Sequence, residues 1–97
     1  VKVNFSQVLI DLEGSPIVDN GKPVTLGAIT AQALLAADPN TPESGDDKAR
    51  AYDIATRVYR AGEVEVSVED VALMKKKIGQ FMTAIVVGQT FRMLEQG

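Results

Sequence analysis

The sequence predicts an α+β domain in which an N-terminal β-hairpin packs on about four helices. Three observations predict it. Residues 1–25 keep an imperfect two-residue alternation, broken by Gly14-Ser15-Pro16 and by Asp19-Asn20-Gly21. From Thr25 onward the apolar residues recur at helical spacing, and a change of period marks a change of element. Thr25, Ser44 and Ser67 each stand just before such a stretch, where a hydroxyl can cap the first turn of a helix. The 97 residues fit one domain, 1–97, with a hairpin part at 3–25 and a helical part at 26–96.

In the first part Val3, Phe5, Gln7 and Leu9 alternate with Asn4, Ser6 and Val8, which predicts a strand near 3–12. Asn20-Gly21 is a strong turn signal, because both residues tolerate positive φ, and it predicts a hairpin with arms at 16–18 and 22–25. Pro16 and Pro23 lack an N–H to donate, which places these arms at edges or strand ends.

The first helix is expected over Leu26–Ala37, capped by Thr25 and stopped by Asp38-Pro39. It carries no charge in twelve residues, and a helix without a charged face is usually buried on several sides. Leu26, Ile29, Ala33 and Leu34 mark its inner face. The polar loop that follows holds two candidate starts for the second helix, Ser44 with Asp47 and Thr41-Pro42. That helix should run to about Ala61 and end at Gly62, with Tyr52, Ala55, Val58 and Tyr59 inside and Lys48, Arg50, Arg57 and Arg60 mostly outside.

Residues 63–66 alternate and read as an edge strand. "VSVEDV" is the clearest local signal: Ser67 as N-cap, Asp70 at N3, and Val66 and Val71 placed as a hydrophobic staple. The third helix then passes through Val71, Met74 and Ile78, and Gly79 ends or bends it. The fourth helix is expected at roughly 80–95, and its stretch "FMTAIVVGQTFRML" has apolar residues on more than one side. It is too short to span a membrane, which takes about 20 apolar residues. Its inner face is expected to complete the core. Its second face, around Ala84, Val87, Gly88 and Phe91, is expected to meet another chain, since a short chain often needs a partner to hide this much apolar surface.

Composition argues against several classes of function. Net charge is −3, which gives no long-range attraction for nucleic acid or an anionic membrane, so neither is expected as a partner. There is no Cys and no His, so thiol chemistry, the commonest general base and the commonest transition-metal ligand are all missing. The first residues are too mixed for a signal peptide. Asp46-Asp47 and Glu69-Asp70 fall in helix first turns, where acids stabilise the helix dipole. "DNGKP" lacks the spacing of a calcium or phosphate loop. Lys75, Lys76 and Lys77 fan through about 200° on a helix, so they read as a solvated face and not as a nucleic-acid stripe. No catalytic residue, no metal site and no cofactor is expected, and the chain is not expected to be an enzyme.

Taken together, "VNFSQVLIDLEGSPI", "KPVTLG", "ALLA", "VSVEDVALMKKKIG" and "VVGQTFRMLE" resemble a family of small proteins in tailed bacteriophages and prophages. The resemblance spans most of the chain and is least distinctive near 38–50. Its motifs are strand, cap and packing patterns, so it implies origin more than activity. It implies expression in the host bacterial cytoplasm, or association with the virion. Two expectations follow. One is a structural or assembly component that oligomerises with itself or docks on a larger virion protein. The other is an early accessory protein that binds and inhibits a host factor.

Overall fold

The computed structural model describes residues 1–40 and 42–96. The elements follow in the order β1 (Lys2–Asn4), β2 (Val18–Asp19), β3 (Lys22–Pro23), α1 (Leu26–Leu35), α2 (Gly45–Val58), β4 (Glu63–Glu65), α3 (Val68–Phe81) and α4 (Ala84–Gln96). This is an α+β arrangement of four helices with two small antiparallel sheets.

The N-terminal strand is shorter than the alternation suggests, and its partner is distant. β1 pairs with β4, with Val3 opposite Val64, so the alternating "EVE" segment closes the sheet. Val3 turns into the core while Lys2 and Asn4 stay outside. Beyond Asn4 the strand does not run on to residue 12. Val8 and Ile10 make only isolated bridges, to Thr25 and Pro16. The reason is local: Asn4 Oδ1 accepts from the Ser6 N–H at 3.0 Å and turns the chain. The hairpin forms where expected, with shorter arms. Asn20 and Gly21 at φ 52° and 76° supply its type I′ turn between β2 and β3.

Each of the first three helices starts on its expected cap. The hydroxyls of Thr25, Ser44 and Ser67 accept from the N–H of Ala28, Asp47 and Asp70. At Ser67 the box is complete, since Asp70 Oδ2 accepts from the Ser67 N–H at 3.3 Å. The alternative start at Thr41-Pro42 includes Thr41, which lies outside the described residues. The ends differ more. α1 stops at Leu35, because Ala36 is already extended, and α2 stops at Val58. α3 passes straight through Gly79 and ends when Met82 turns extended, which moves Phe81 from the fourth helix to the third. Gly79 therefore does not end the helix, and a side chain there would meet only the Phe91 ring, at 3.6 Å.

The core is assembled from Val3 and Phe5 of the N-terminal arm, Leu26 and Leu34 of α1, Ile54 and Val58 of α2, Met74 and Ile78 of α3, and Leu94 of α4. α1 packs most extensively on α2 and next on α3. It is buried along Leu26, Ile29, Thr30, Ala33 and Leu34, as its uncharged sequence suggests. Its approach to α2 depends on Gly27, where a Cβ would lie 2.3 Å from the carbonyl oxygen of Val58. Only a residue without a side chain permits that crossing.

Candidate functional site

The close crossing at Gly27 decides what happens to the α2 tyrosines. With α1 lying against the backbone of Val58 and Tyr59, no ring fits between the helices. Ala51, Ile54, Ala55 and Val58 take the inward positions. Tyr52 and Tyr59, expected inside, are instead 62% and 50% exposed. They stand as two walls of a groove of about 670 Å³ between α1 and α2. Ala28, Ala31 and Ala55 line it as small residues, and Leu35, 59% exposed, lines it from α1. A second cavity of about 470 Å³ also touches Leu35 and is lined by Asp38, Glu43 and Lys48 around the loop after α1.

The spacing explains the shape. Ala28, Ala31, Gln32 and Leu35 recur at i, i+3, i+4 and i+7 on α1, and Tyr52, Ala55, Thr56 and Tyr59 do the same on α2. Two helices thus offer apolar stripes to solvent beside one another, after their inward stripes are already filled. The α1 side bears no charge. At the Tyr59 end lie Asp19 of β2 and Arg60, whose guanidinium carbon is 5.5 Å from the Tyr59 ring centroid. Arg57 is committed elsewhere, to Asp53 and Asp70.

The four residues expected to form an interface on α4 separate into two pairs. Val87 and Phe91 are half-buried and pack against the core. Ala84 and Gly88 are exposed, and a Cβ at Gly88 would meet nothing within 4 Å. The expected second face therefore supplies part of the core, because the inward residues of α4 are Val87, Thr90, Phe91 and Leu94 and not the Phe81, Ile85 and Val86 side. Ile85 remains 37% exposed beside Ala84 and Gly88.

The lysine run also divides. Lys76 is exposed, but Lys77 is buried, with its ammonium paired to Glu43 and 5.7 Å from the Phe81 ring centroid. Lys75 pairs with Glu95 at 2.7 Å and sits 5.0 Å from the centroid of Phe91. Lys75 and Lys77 thus make packing contacts, and only Lys76 of the run is solvated as expected. Asp46 and Asp47 occupy the first turn of α2, and Glu69 and Asp70 that of α3. Burial opposes the ionisation of Asp70, but hydrogen bonds from the Ser67 backbone and Arg50, the Ser67 side chain and the nearby Arg57 charge outweigh it and hold its carboxyl below the ordinary aspartate range. Among the described residues no three His, Cys, Asp or Glu side chains converge as metal ligands, and no helix is long and apolar enough to cross a membrane.

The groove was legible only in part. A helix whose inward stripe is filled by Ala51, Ile54, Ala55 and Val58 has no room for two tyrosines seven residues apart, and that surplus is the signal for a second apolar face. Comparison with protein families, curated proteins and solved structures returns no match for this chain.

Proposed function

We propose that the chain is a non-enzymatic protein–protein interaction module, a structural or assembly component of a tailed phage that oligomerises or docks on a larger virion protein. The observation that carries this reading is the α1–α2 groove. Two exposed tyrosines and an exposed leucine surround small residues on a surface where one whole helix lacks charge. Exposed Tyr and depleted charge are the composition of an interface centre. Twin stripes at helical spacing are the geometry that receives an apolar segment. The phage context comes from the sequence resemblance described above.

The test is sedimentation velocity of the purified chain across a wide concentration range, beside capture of partners from phage-infected cells. A defined oligomer, or a stable complex with one virion protein lost in Tyr52→Glu, supports the reading. A strictly monomeric chain with no partner that depends on Tyr52 overturns it. Capture of one host protein in place of a virion protein redirects the reading to an inhibitor.

A further inference from the structure

We propose that Asn20-Gly21 is a self-modification site, at which the chain converts its own asparagine to aspartate and isoaspartate with water as the only co-reactant. The reaction needs no enzyme and no partner, so it proceeds whatever the α1–α2 groove receives.

The chain has three asparagines, and their surroundings separate them. At Asn4 both groups that would react are occupied. Its Oδ1 accepts from the Ser6 N–H and hydroxyl at 3.0 and 2.6 Å, and the following N–H, that of Phe5, donates to the Gly62 carbonyl at 2.8 Å. Asn40 is followed in sequence by a β-branched threonine, a residue type that hinders attack by its own nitrogen. At Asn20 both groups are free: among the described residues neither its side chain nor the Gly21 N–H has a hydrogen-bond partner. Gly21 has no side chain to shield its nitrogen, and a Cβ there would meet nothing within 4 Å. The turn holds Asn20 at φ 52°, a left-handed conformation that a residue with a side chain adopts at a cost. Attack by the Gly21 nitrogen requires Asn20 to leave it, so the turn opens first. Opening uncovers no core, because residues 18–23 are all exposed and each arm is only two residues long. A segment with so few buried contacts opens at low free energy while the rest stays folded.

In the open turn the Gly21 nitrogen gives its proton to solvent and bonds to Asn20 Cγ. The Cγ–Nδ2 bond breaks, and Nδ2 takes a proton from solvent and leaves as ammonia. The five-membered imide then takes up one water. Cleavage between the nitrogen and Cγ gives aspartate; cleavage between the nitrogen and the main-chain carbonyl carbon of residue 20 gives isoaspartate. Nothing is oxidised or reduced, and an amide has become a carboxylate. Isoaspartate carries the main chain through Cβ and Cγ and so lengthens the turn by one atom. That disturbs the pairing of Asp19 with Lys22 and of Val18 with Pro23. Either product adds one negative charge next to Asp19, which lines the groove between α1 and α2.

The test warms the full chain in mildly alkaline buffer, folded and in parallel unfolded in urea, and follows ammonia release, intact mass and peptide maps. In the folded chain the peptide holding Asn20 should gain one mass unit and yield both aspartate and isoaspartate. The kinetics should be first-order and independent of protein concentration, with a rate at least about one-tenth of that in urea, as cheap local opening requires. Asn4 should keep its amide over the same period. Asn20→Gly suits the same turn, should melt like the parent, and should lose this ammonia release. A folded-state rate at Asn20 below one-tenth of the urea rate overturns the proposal, because the turn then protects the amide. So does ammonia release that is undiminished in Asn20→Gly, or an Asn4 that reacts as fast as Asn20 in the folded chain.

Discussion

The side-chain amide of Gln89 in α4 is hydrogen-bonded in both directions to the backbone of Ile10. The Ile10 N–H donates to Gln89 Oε1 at 2.9 Å, and Gln89 Nε2 donates to the Ile10 carbonyl at 2.8 Å. A side-chain amide thus takes the place of a neighbouring strand at a point where the chain has left β1 and has only isolated bridges to other segments. Gln89 Nε2 also reaches the Ile85 carbonyl at 3.0 Å, one turn earlier, which fixes the amide on its own helix. Ile10, in the exposed segment 8–12, is therefore hydrogen-bonded to the helical layer by a residue 79 positions away.

Replacing Gln89 by Ala should loosen the segment 8–12 more than it loosens the domain. The backbone groups it serves are exposed enough for water to replace the amide, so the global cost should be about 1 kcal/mol or less. The local effect should be larger in proportion: the Ile10 amide should exchange with deuterium markedly faster, while amides in α1 keep their protection. An unchanged Ile10 exchange rate would show that the bridges to Pro16 and Thr25 hold the segment unaided.

Two glycines should respond with opposite sign to the same substitution. At Gly27 an added methyl meets the Val58 carbonyl at 2.3 Å, the Tyr59 carbonyl at 3.0 Å and the Phe5 carbonyl at 3.2 Å, all backbone atoms that cannot swing aside. Gly27→Ala should destabilise by about 1–3 kcal/mol or more, because α1 must move off α2. At Gly88 the space is open, so Gly88→Ala should stabilise by about 0.5–1 kcal/mol through helix propensity alone. Urea midpoints of the two variants decide it, and a Gly27→Ala protein as stable as the parent would contradict the crossing.

Thr30 sits fully buried in α1, and among the described residues its hydroxyl has no hydrogen-bond partner. Valine has the same shape without the polar atom. Thr30→Val should raise stability by about 1 kcal/mol, since a stranded buried hydroxyl is a cost that the substitution removes. A lower melting temperature would mean that the hydroxyl finds a partner in solution.

Local chemistry made part of this fold readable and tertiary geometry hid the rest. Thr25, Ser44 and Ser67 were recognisable because a cap acts on the next three residues alone. Asn20-Gly21 was recognisable for the same reason. The pairing of Lys2–Asn4 with Glu63–Glu65 was not, because nothing local in either segment names a partner about 60 residues away; the alternation of "EVE" signals a strand and no more. Gly79 misled because helix propensity penalises glycine, yet α3, packed through Met74 and Ile78, runs on past it to Phe81. The exposure of Tyr52 and Tyr59 depends on how closely α1 approaches at Gly27, and that distance is written in no single helix. The same holds for α4, whose inward residues are chosen by where α3 and β1 lie.

Burial of Lys77 is the clearest case of a charge read as solvated and found inside. Its partner Glu43 precedes α2 and is about a quarter exposed, so water reaches one side of the pair. Glu43→Gln should cost about 1–3 kcal/mol, less than the loss of a fully enclosed pair, because it leaves the buried ammonium without a counter-charge. Adding Lys77→Met should restore most of that loss, since the side chain then has no charge to satisfy. A double variant no more stable than Glu43→Gln would place the cost in the loop and not in the ion pair.

The box at the start of α3 makes a prediction in pH as well as in stability. Ser67→Ala strands the Asp70 N–H and should cost about 0.5–2 kcal/mol. Asp70 does more than complete the cap: its two oxygens also receive Arg50 at 3.3 Å and Arg57 at 3.5 Å from α2, so it ties α3 to α2. Its folded-state pKa is held below that of an unfolded aspartate. The stability it contributes is therefore fully present above the unfolded value, about 4, and disappears as pH falls through the folded value below it. Asp70→Asn keeps an acceptor for the Ser67 N–H but no charge for the two arginines. The parent should be more stable than this variant from neutral pH down to about 5, and the gap should narrow steadily below about 4 as the parent's own carboxylate protonates. Melting temperatures of both proteins between pH 7 and pH 2 test it. A gap that stays constant to the lowest pH would show that Asp70 acts through its shape and hydrogen bonds alone, and that the charge reaching across to α2 contributes nothing.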